Sequence, residues 1–118
     1  MHTIDQLLAQ QCRHQTDAMN DAEIAAQLQE LKDWMLEQDR ITKAYSFRNY
    51  HQTIAFVHEI ADVIHAEDHH PELIVTYNRC IVKFRTHLVD GGRGGISIND
   101  FICAAKIDRV FQHSFSGA

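Results

Sequence analysis

The sequence has little of what marks several large classes of protein. It contains one proline, five glycines and three cysteines in 118 residues. An odd and scattered set of cysteines does not make a disulfide framework, and it fits a reduced, cytoplasmic chain. No apolar run approaches the roughly 20 residues that a membrane-spanning helix needs, so no membrane association is expected. The N-terminal residues also lack the charged region and long apolar stretch of a secretory signal.

Positive charge is scarce as well. Eleven lysines and arginines stand against 16 aspartates and glutamates, which gives a formal net charge of −5. A protein that binds a nucleic-acid backbone needs a basic face, so no nucleic-acid partner is expected. The length predicts a single domain over residues 1–118. Residues 1–19 are polar and weakly patterned, and we expect a loose N-terminal extension there.

Apolar residues at helical spacing predict three helices. Asn20 and Glu23 form the pattern of a capping box in front of the first helix, predicted over residues 21–31. A continuous apolar stripe predicts the second helix over residues 50–66. Ser97 begins a second capping box, S-x-x-D, in front of the third helix.

Apolar and polar residues alternate in two other regions, and each region predicts a pair of strands. Residues 34–47 hold two alternating stretches around a polar turn, and residues 73–86 hold two more around Tyr77 and Asn78. The loop over residues 88–97 carries four of the five glycines, and no regular structure is expected in it.

This order of elements predicts an α+β architecture. Strands that follow one another through short turns pair antiparallel, so the four strands should form one antiparallel sheet with the helices packed on one face. The other face must then be solvated or covered by a partner chain.

Nine histidines stand out in so short a chain, and one interpretation is a zinc site. His65 and His69 are four residues apart, which would place them on one side of a continuous helix. However, H-A-E-D-H matches neither H-E-x-x-H nor H-x-x-E-H, and Pro71 makes a helical geometry at His69 and His70 doubtful. No bound metal is therefore expected.

A second interpretation makes the histidines ordinary surface residues. His51, His58 and His65 recur every seven residues along the margin of the apolar stripe, where polar residues usually lie. Residues near the termini, such as His2, are interpreted in the same way.

A third interpretation is acid–base chemistry. Histidine titrates near neutral pH and can both donate and accept protons. His69 and His70 follow a predicted helix, His87 ends a predicted strand, and Asp100 lies in the first turn of the last helix, where its carboxylate could orient an imidazole. For these four residues, the residue types and their order leave the catalytic and the surface interpretations equally open.

Four short motifs resemble those of a known family. H-H-P-E at residues 69–72, Y-N at 77–78, T-H at 86–87 and G-I-S-x-x-D at 95–100 are similar, in this order, to motifs of the pterin-4a-carbinolamine dehydratases. The resemblance extends over roughly residues 20–110. It implies a four-stranded antiparallel sheet with helices on one side, assembled as homodimers or homotetramers. It also implies that 4a-hydroxy-tetrahydropterin loses water to give quinonoid dihydropterin, without metal or other cofactor, as part of recycling the pterin used by aromatic amino-acid hydroxylases.

The resemblance further implies roles for individual residues. His69 and His87 would be the acid–base groups, His70 would bind and position the pterin, and Asp100 would support a histidine electrostatically. The implied substrate contacts are His69, His70, Pro71, Thr86 and His87.

Two departures from the family pattern and two rival functions remain. Many members carry a glutamate where this chain has His65, and Glu67 is a possible substitute for it. The glycine-rich loop over residues 88–97 also looks longer than usual. The alternatives are a protein-binding or assembly module with the same fold, and a dehydratase for another pterin such as one of molybdopterin metabolism.

Overall fold

The computed structural model describes residues 1–115, and this part of the chain contains four α-helices and one four-stranded sheet. The elements in chain order are α1 (Ile4–Leu8), α2 (Asp21–Leu28), β1 (Met35–Glu37), β2 (Arg40–Ser46), α3 (Tyr50–Glu67), β3 (Glu72–Val75), β4 (Arg79–Phe84) and α4 (Ile98–Ser114). None of the helices in residues 1–115 has the length and apolar character required to cross a membrane.

The sheet has the order β1-β2-β4-β3, and every neighbouring pair is antiparallel. Tyr45 lies opposite Cys80 on β4, and Cys80 in turn lies opposite Val75 on β3. The α+β architecture predicted from the two periodicities is thereby confirmed.

Alternation along the strands separates a buried face from an exposed one. Ile41 and Tyr45 on β2 and Val82 and Phe84 on β4 are almost fully buried, and they form one core with apolar residues of α3 and α4. The intervening residues point to the opposite, outer face, where Ile74 is 38% exposed. The helices therefore cover one face of the sheet, because only that face is consistently apolar.

The helix boundaries follow the capping signals. Asn20 with Glu23 and Ser97 with Asp100 both form complete capping boxes. The first predicted helix ends earlier than expected, at Leu28 instead of Leu31, because tight i→i+3 hydrogen bonds replace the helical ones there.

The N-terminal segment differs from the loose extension that its polar sequence predicted. Thr3 and Gln6 form a capping box for α1, and Leu7 is fully buried in the core. Beyond α1 the segment is held mainly by hydrogen bonds to side chains that are distant in the chain. Such contacts need no apolar periodicity, so the sequence gives no sign of them.

The glycine-rich loop is also more ordered than expected, since a short 3₁₀ turn spans Asp90–Gly92. Gly91 has a φ of 66° within it, a left-handed conformation that glycine adopts without steric cost. Asp90 ties the loop to the N-terminal segment, because its N–H donates to the carbonyl of Thr16 and its carboxylate accepts from the N–H of Ala18.

One cluster of polar side chains lies between the sheet and α4. The carboxylate of Asp108 accepts hydrogen bonds from Trp34 Nε1 at 3.1 Å, from Lys43 Nζ at 2.8 Å and from the hydroxyl of Tyr45. Burial, together with the Asp108 carboxylate, raises the pKa of Tyr45 far above its ordinary value of 10.0. These hydrogen bonds join β2 to α4, and they give the buried polar groups of the cluster partners inside the protein.

Candidate active site

A cavity of about 450 Å³ lies where the end of α3, the end of β4 and the N-terminal segment meet. Its volume falls within the range of about 300–1,000 Å³ that is usual for small-molecule sites. The lining residues are Cys12, Arg13, His14, Gln15, Glu67, Asp68, His69, His70, Arg85, Thr86, His87, Leu88 and Asn99. Four residues were predicted to be catalytic, three histidines and Asp100. The three histidines, His69, His70 and His87, all line this one cavity.

The end of α3 determines where His69 lies. Asp68 takes a left-handed conformation, with φ of 50° and ψ of 40°, and so ends the helix immediately before the histidine pair. The ring of His69 then stacks on Phe84, with ring centroids 5.7 Å apart and planes 5° apart. The side chain is only 13% exposed, which is more buried than a residue at the end of an element would suggest.

Asp100 lies beneath His69 and is completely buried. His69 Nε2 and Asp100 Oδ1 are 2.6 Å apart. The other oxygen of Asp100 accepts from the hydroxyl of Thr86 at 3.0 Å and from the N–H of Ser97 at 2.9 Å. Because a carboxylate only accepts hydrogen bonds, this arrangement places a hydrogen on Nε2 of His69.

The other two histidines are more exposed. The side chain of His70 is 64% exposed, and its Nε2 lies 3.9 Å from a carboxylate oxygen of Asp68. His87 directly follows Thr86, whose backbone exchanges two hydrogen bonds with Gly95, at 2.8 and 3.0 Å. This bridge ties the start of the glycine-rich loop to the approach to α4, and so positions His87 at the cavity.

Two neighbouring residues that the sequence singled out do not line the cavity. Pro71 is not among the cavity-lining residues, because the chain passes from the histidine pair directly into β3. His65 is exposed on α3 and also does not line the cavity.

Glu67 does line the cavity, yet both of its oxygens are engaged. Oε1 accepts from the N–H of Cys12 at 2.7 Å, and Oε2 pairs with Lys106 Nζ at 2.6 Å. Although burial alone would raise it, the hydrogen bonds from Lys106 and Cys12 hold the pKa of Glu67 below its ordinary value. Glu67 therefore anchors the N-terminal segment, two residues after the position where the resemblance implies a glutamate.

The metal interpretation receives no support from geometry in this part of the chain. Among residues 1–115 there is no group of three or more histidine, cysteine, aspartate or glutamate side chains that could hold a metal ion. His65 and His69 do not share a helix face, since α3 ends at Glu67 between them.

The N-terminal wall of the cavity, which we define as residues 12–15, was missed from the sequence. Its residues have no periodicity, and their partners, Asn99 and Glu67, are distant in the chain. Two signals were available in the preceding turn: the capping-box spacing of Thr3 and Gln6, and the helical spacing of Ile4 with the two leucines at residues 7 and 8, which pack in or against the core.

Comparison with known proteins places this geometry in a family. The family model for pterin 4 alpha carbinolamine dehydratase matches residues 17–110. A protein of Bdellovibrio bacteriovorus, provisionally named a pterin-4-alpha-carbinolamine dehydratase, is 51% identical over 94% of this chain and 92% of its own. A protein of Nitrosospira multiformis with the same provisional name is 46% identical over 93% of this chain and 96% of its own.

A solved structure agrees with these sequence matches. The transcriptional coactivator/pterin dehydratase from Brucella melitensis superposes with a TM-score of 0.72 at 25% identity, over 80% of this chain and 98% of that one. A family match over most of the chain, relatives near 50% identity and a common fold lead to one conclusion: the chain belongs to the pterin 4 alpha carbinolamine dehydratase family.

Proposed function

We propose that the protein dehydrates 4a-hydroxy-tetrahydropterin to quinonoid dihydropterin, and so helps to recycle the pterin cofactor of aromatic amino-acid hydroxylases. In this reaction a ring nitrogen loses a proton, the C4a–O bond breaks, and the hydroxyl leaves as water after gaining a proton. Family membership supports the substrate class. The single observation that carries the mechanism is the hydrogen bond between His69 and the buried Asp100 at the edge of the cavity.

His69 is proposed as the base. With the hydrogen on Nε2 directed to Asp100, the lone pair of the neutral ring is on Nδ1. No protein group within residues 1–115 hydrogen-bonds to Nδ1, so this nitrogen is free to accept a proton from the substrate. The Asp100 carboxylate would then stabilise the imidazolium that forms, as a buried carboxylate does for a histidine base in other enzymes.

His87 is proposed as the acid that protonates the departing hydroxyl. It lines the same cavity, it is exposed, and no side chain in the described part of the molecule holds its ring nitrogens. His70, whose ring is also largely exposed, would contact the pterin and hold it between the other two histidines. Thr86 is proposed to act through Asp100, to which its hydroxyl donates, in addition to forming part of the wall.

The test is the decay of enzymatically generated 4a-hydroxy-tetrahydropterin, followed by ultraviolet absorbance with and without the protein after treatment with a chelator. Faster dehydration that survives the chelator is the expected result. No acceleration by folded protein would contradict the proposed activity. Acceleration that disappears with the chelator would instead require a metal.

A second candidate function is protein binding. The Brucella melitensis neighbour is described as a transcriptional coactivator as well as a pterin dehydratase, and the outer face of the sheet in this chain is open. The two functions are compatible, because the cavity and the outer sheet face are on different parts of the molecule. A dehydratase for another pterin is a third candidate. It differs from the first candidate only in its substrate, so assays with different pterins distinguish the two.

The location of the protein is proposed as cytoplasmic. All three cysteines are free thiols, although Cys12 Sγ and Cys103 Sγ lie 3.4 Å apart. Free thiols so close together are typical of a reducing compartment.

A further inference from the structure

Two cysteines lie in contact where the N-terminal wall meets α4. Sγ of Cys12, in the wall, is 3.4 Å from Sγ of Cys103, on α4, although the two residues are 91 positions apart in the chain. Both are free thiols. Cys12 precedes residues 17–110, which the family model matches, so the pair is not part of the common domain. The proposed proton transfers use neither thiol.

The two thiols differ in their access to solvent. Cys12 is partly exposed and lines the cavity, whereas Cys103 is completely buried. The carbonyl oxygen of Asn99 lies 3.5 Å from Sγ of Cys12 and accepts from its S–H, so the S–H of Cys103 is free to donate to Sγ of Cys12. This hydrogen bond, together with burial, raises the pKa of Cys103 far above its ordinary value of 9.0. A small oxidant that enters the cavity therefore reacts first with Cys12.

The backbone around Cys12 has the freedom to bring its sulfur closer to Cys103. Residues 10–16 have no regular secondary structure, and Cys12 is held there by the hydrogen bond from its N–H to Glu67. Cys103, in contrast, lies within the long helix α4. A disulfide bond is about 2.0 Å long, so the two sulfurs need to approach by only about 1.4 Å to form one.

We propose that Cys12 and Cys103 are a modification site, at which hydrogen peroxide converts the two thiols into a disulfide that fastens the N-terminal wall to α4. The Cys12 thiolate attacks one oxygen of the peroxide, the O–O bond breaks, and Cys12 becomes a sulfenic acid while the released hydroxide gains a proton to form water. Sγ of Cys103 then attacks Sγ of Cys12 and the S–O bond breaks. The departing hydroxide takes the proton of Cys103 and leaves as a second water. The pair loses two electrons and two protons, and the peroxide takes up both.

The disulfide has a chemical and a mechanical consequence. A sulfenic acid without a partner thiol is oxidised further to a sulfinic acid, which thiols do not reduce. Cys103 prevents that step, because its sulfur already lies in contact with Cys12. The disulfide also joins residues 91 positions apart and so restricts the unfolded chain. In a reducing compartment such a bond is transient and responds to oxidants.

The test treats the reduced protein with hydrogen peroxide and identifies the cysteine-containing peptides by mass spectrometry. In the wild-type protein the Cys12 and Cys103 peptides should be joined, and dithiothreitol should separate them. In Cys103→Ala the Cys12 peptide should instead gain two oxygen atoms that dithiothreitol does not remove. In Cys12→Ser, Cys103 should remain a thiol. These measurements do not depend on the dehydratase reaction.

The matched control is Cys80→Ala. Cys80 is buried on β4, and burial raises its pKa to about 11, so it should remain a thiol in the wild-type protein. The Cys80→Ala variant should form the same disulfide between Cys12 and Cys103.

Thermal melting measures whether the disulfide fastens the wall. Oxidation should raise the Tm of the wild-type protein by about 10 °C, because it closes a long loop in the unfolded chain, and dithiothreitol should reverse the rise. Cys12→Ser should show no rise. A Cys12 that stays a thiol, a sulfinic acid at Cys12 in the wild-type protein, or a disulfide between two copies of the chain would overturn the proposal. An unchanged Tm of the oxidised protein would reject the fastening of the wall.

Discussion

His69 Nε2 lies 2.6 Å from Asp100 Oδ1, although the two residues are 31 positions apart in the chain. One belongs to the turn that follows α3 and the other to the first turn of α4. The contact therefore joins the two helices that cover the sheet at the point where the cavity opens. It orients one ring nitrogen of His69 towards a buried charge and leaves the other nitrogen available to accept a proton.

Replacing Asp100 with asparagine should reduce kcat by about 100-fold, because the amide carries no charge to stabilise the imidazolium of His69. The same change should lower the free energy of unfolding by about 1–2 kcal/mol, since the amide has one acceptor oxygen where the carboxylate has two, and a buried donor of His69, Thr86 or Ser97 loses its partner. Dehydration rates and urea unfolding would be measured together. Asp62→Asn is the control: this side chain is exposed on α3 and does not line the cavity, so both quantities should stay near wild type. A fully active Asp100→Asn variant would contradict the proposed mechanism.

His69→Ala and His87→Ala should each cut turnover without unfolding the chain. The two variants should differ in stability, because the His69 ring stacks on buried Phe84 whereas His87 is exposed. His58→Ala, which removes an exposed histidine from α3, serves as the control. Circular dichroism melting and the dehydration assay would be compared for all three. A catalytic role would be rejected if activity fell only in proportion to thermal stability in both site variants.

Tyr45→Phe should destabilise the protein by about 1–2 kcal/mol, since it removes a buried hydrogen bond to Asp108 and keeps the ring. It should also change the response to alkaline pH. Burial raises the pKa of Tyr45 above its ordinary value of 10.0, so the folded state keeps a proton that the unfolded state loses. Its contribution to stability is complete below pH 10.0 and declines as the pH rises further.

The phenylalanine variant lacks this group, so its stability should fall less steeply above pH 10.0 than that of the wild type. Urea unfolding at a series of pH values measures both effects. Tyr77→Phe, at a side chain that is 66% exposed, provides the control. Parallel curves for the wild-type and Tyr45→Phe proteins would show that the buried phenol does not titrate as described.

The protein should form a homo-oligomer. Ala44, Ile81 and Ile74 lie side by side across three strands on the outer face of the sheet, next to the exposed Met35. An apolar row of this kind is usually covered in an antiparallel sheet that is packed on one side only. Light scattering at micromolar concentration measures the assembly directly. A monomer under those conditions would rule out a stable oligomer through this face.

Local signals predicted most of the fold. The capping boxes at Asn20 and Ser97, the apolar stripe of α3 and the two alternating regions identified every element from α2 to α4, because each of these patterns arises from neighbours in the chain. The failures have two origins. Helix α1 was missed because its local signals, the capping-box spacing of Thr3 and Gln6 and the helical spacing of Ile4, Leu7 and Leu8, cover too few residues to stand out. The N-terminal wall has no periodicity, and the 3₁₀ turn at Asp90 lies in a loop whose glycines suggested irregular structure.

The sequence by itself determined the α+β class, the antiparallel sheet and, through its motifs, the family, since spacing and residue type are properties of the chain alone. Only the tertiary structure decided that Asp100 holds His69, that Pro71 lies outside the cavity and that Glu67 anchors Cys12. Those contacts join residues 31 and 55 positions apart, so they depend on how the ends of α3, β4 and α4 pack together. Packing of distant segments leaves no periodic trace in a sequence, which is why the wall that carries Cys12 became visible only in three dimensions.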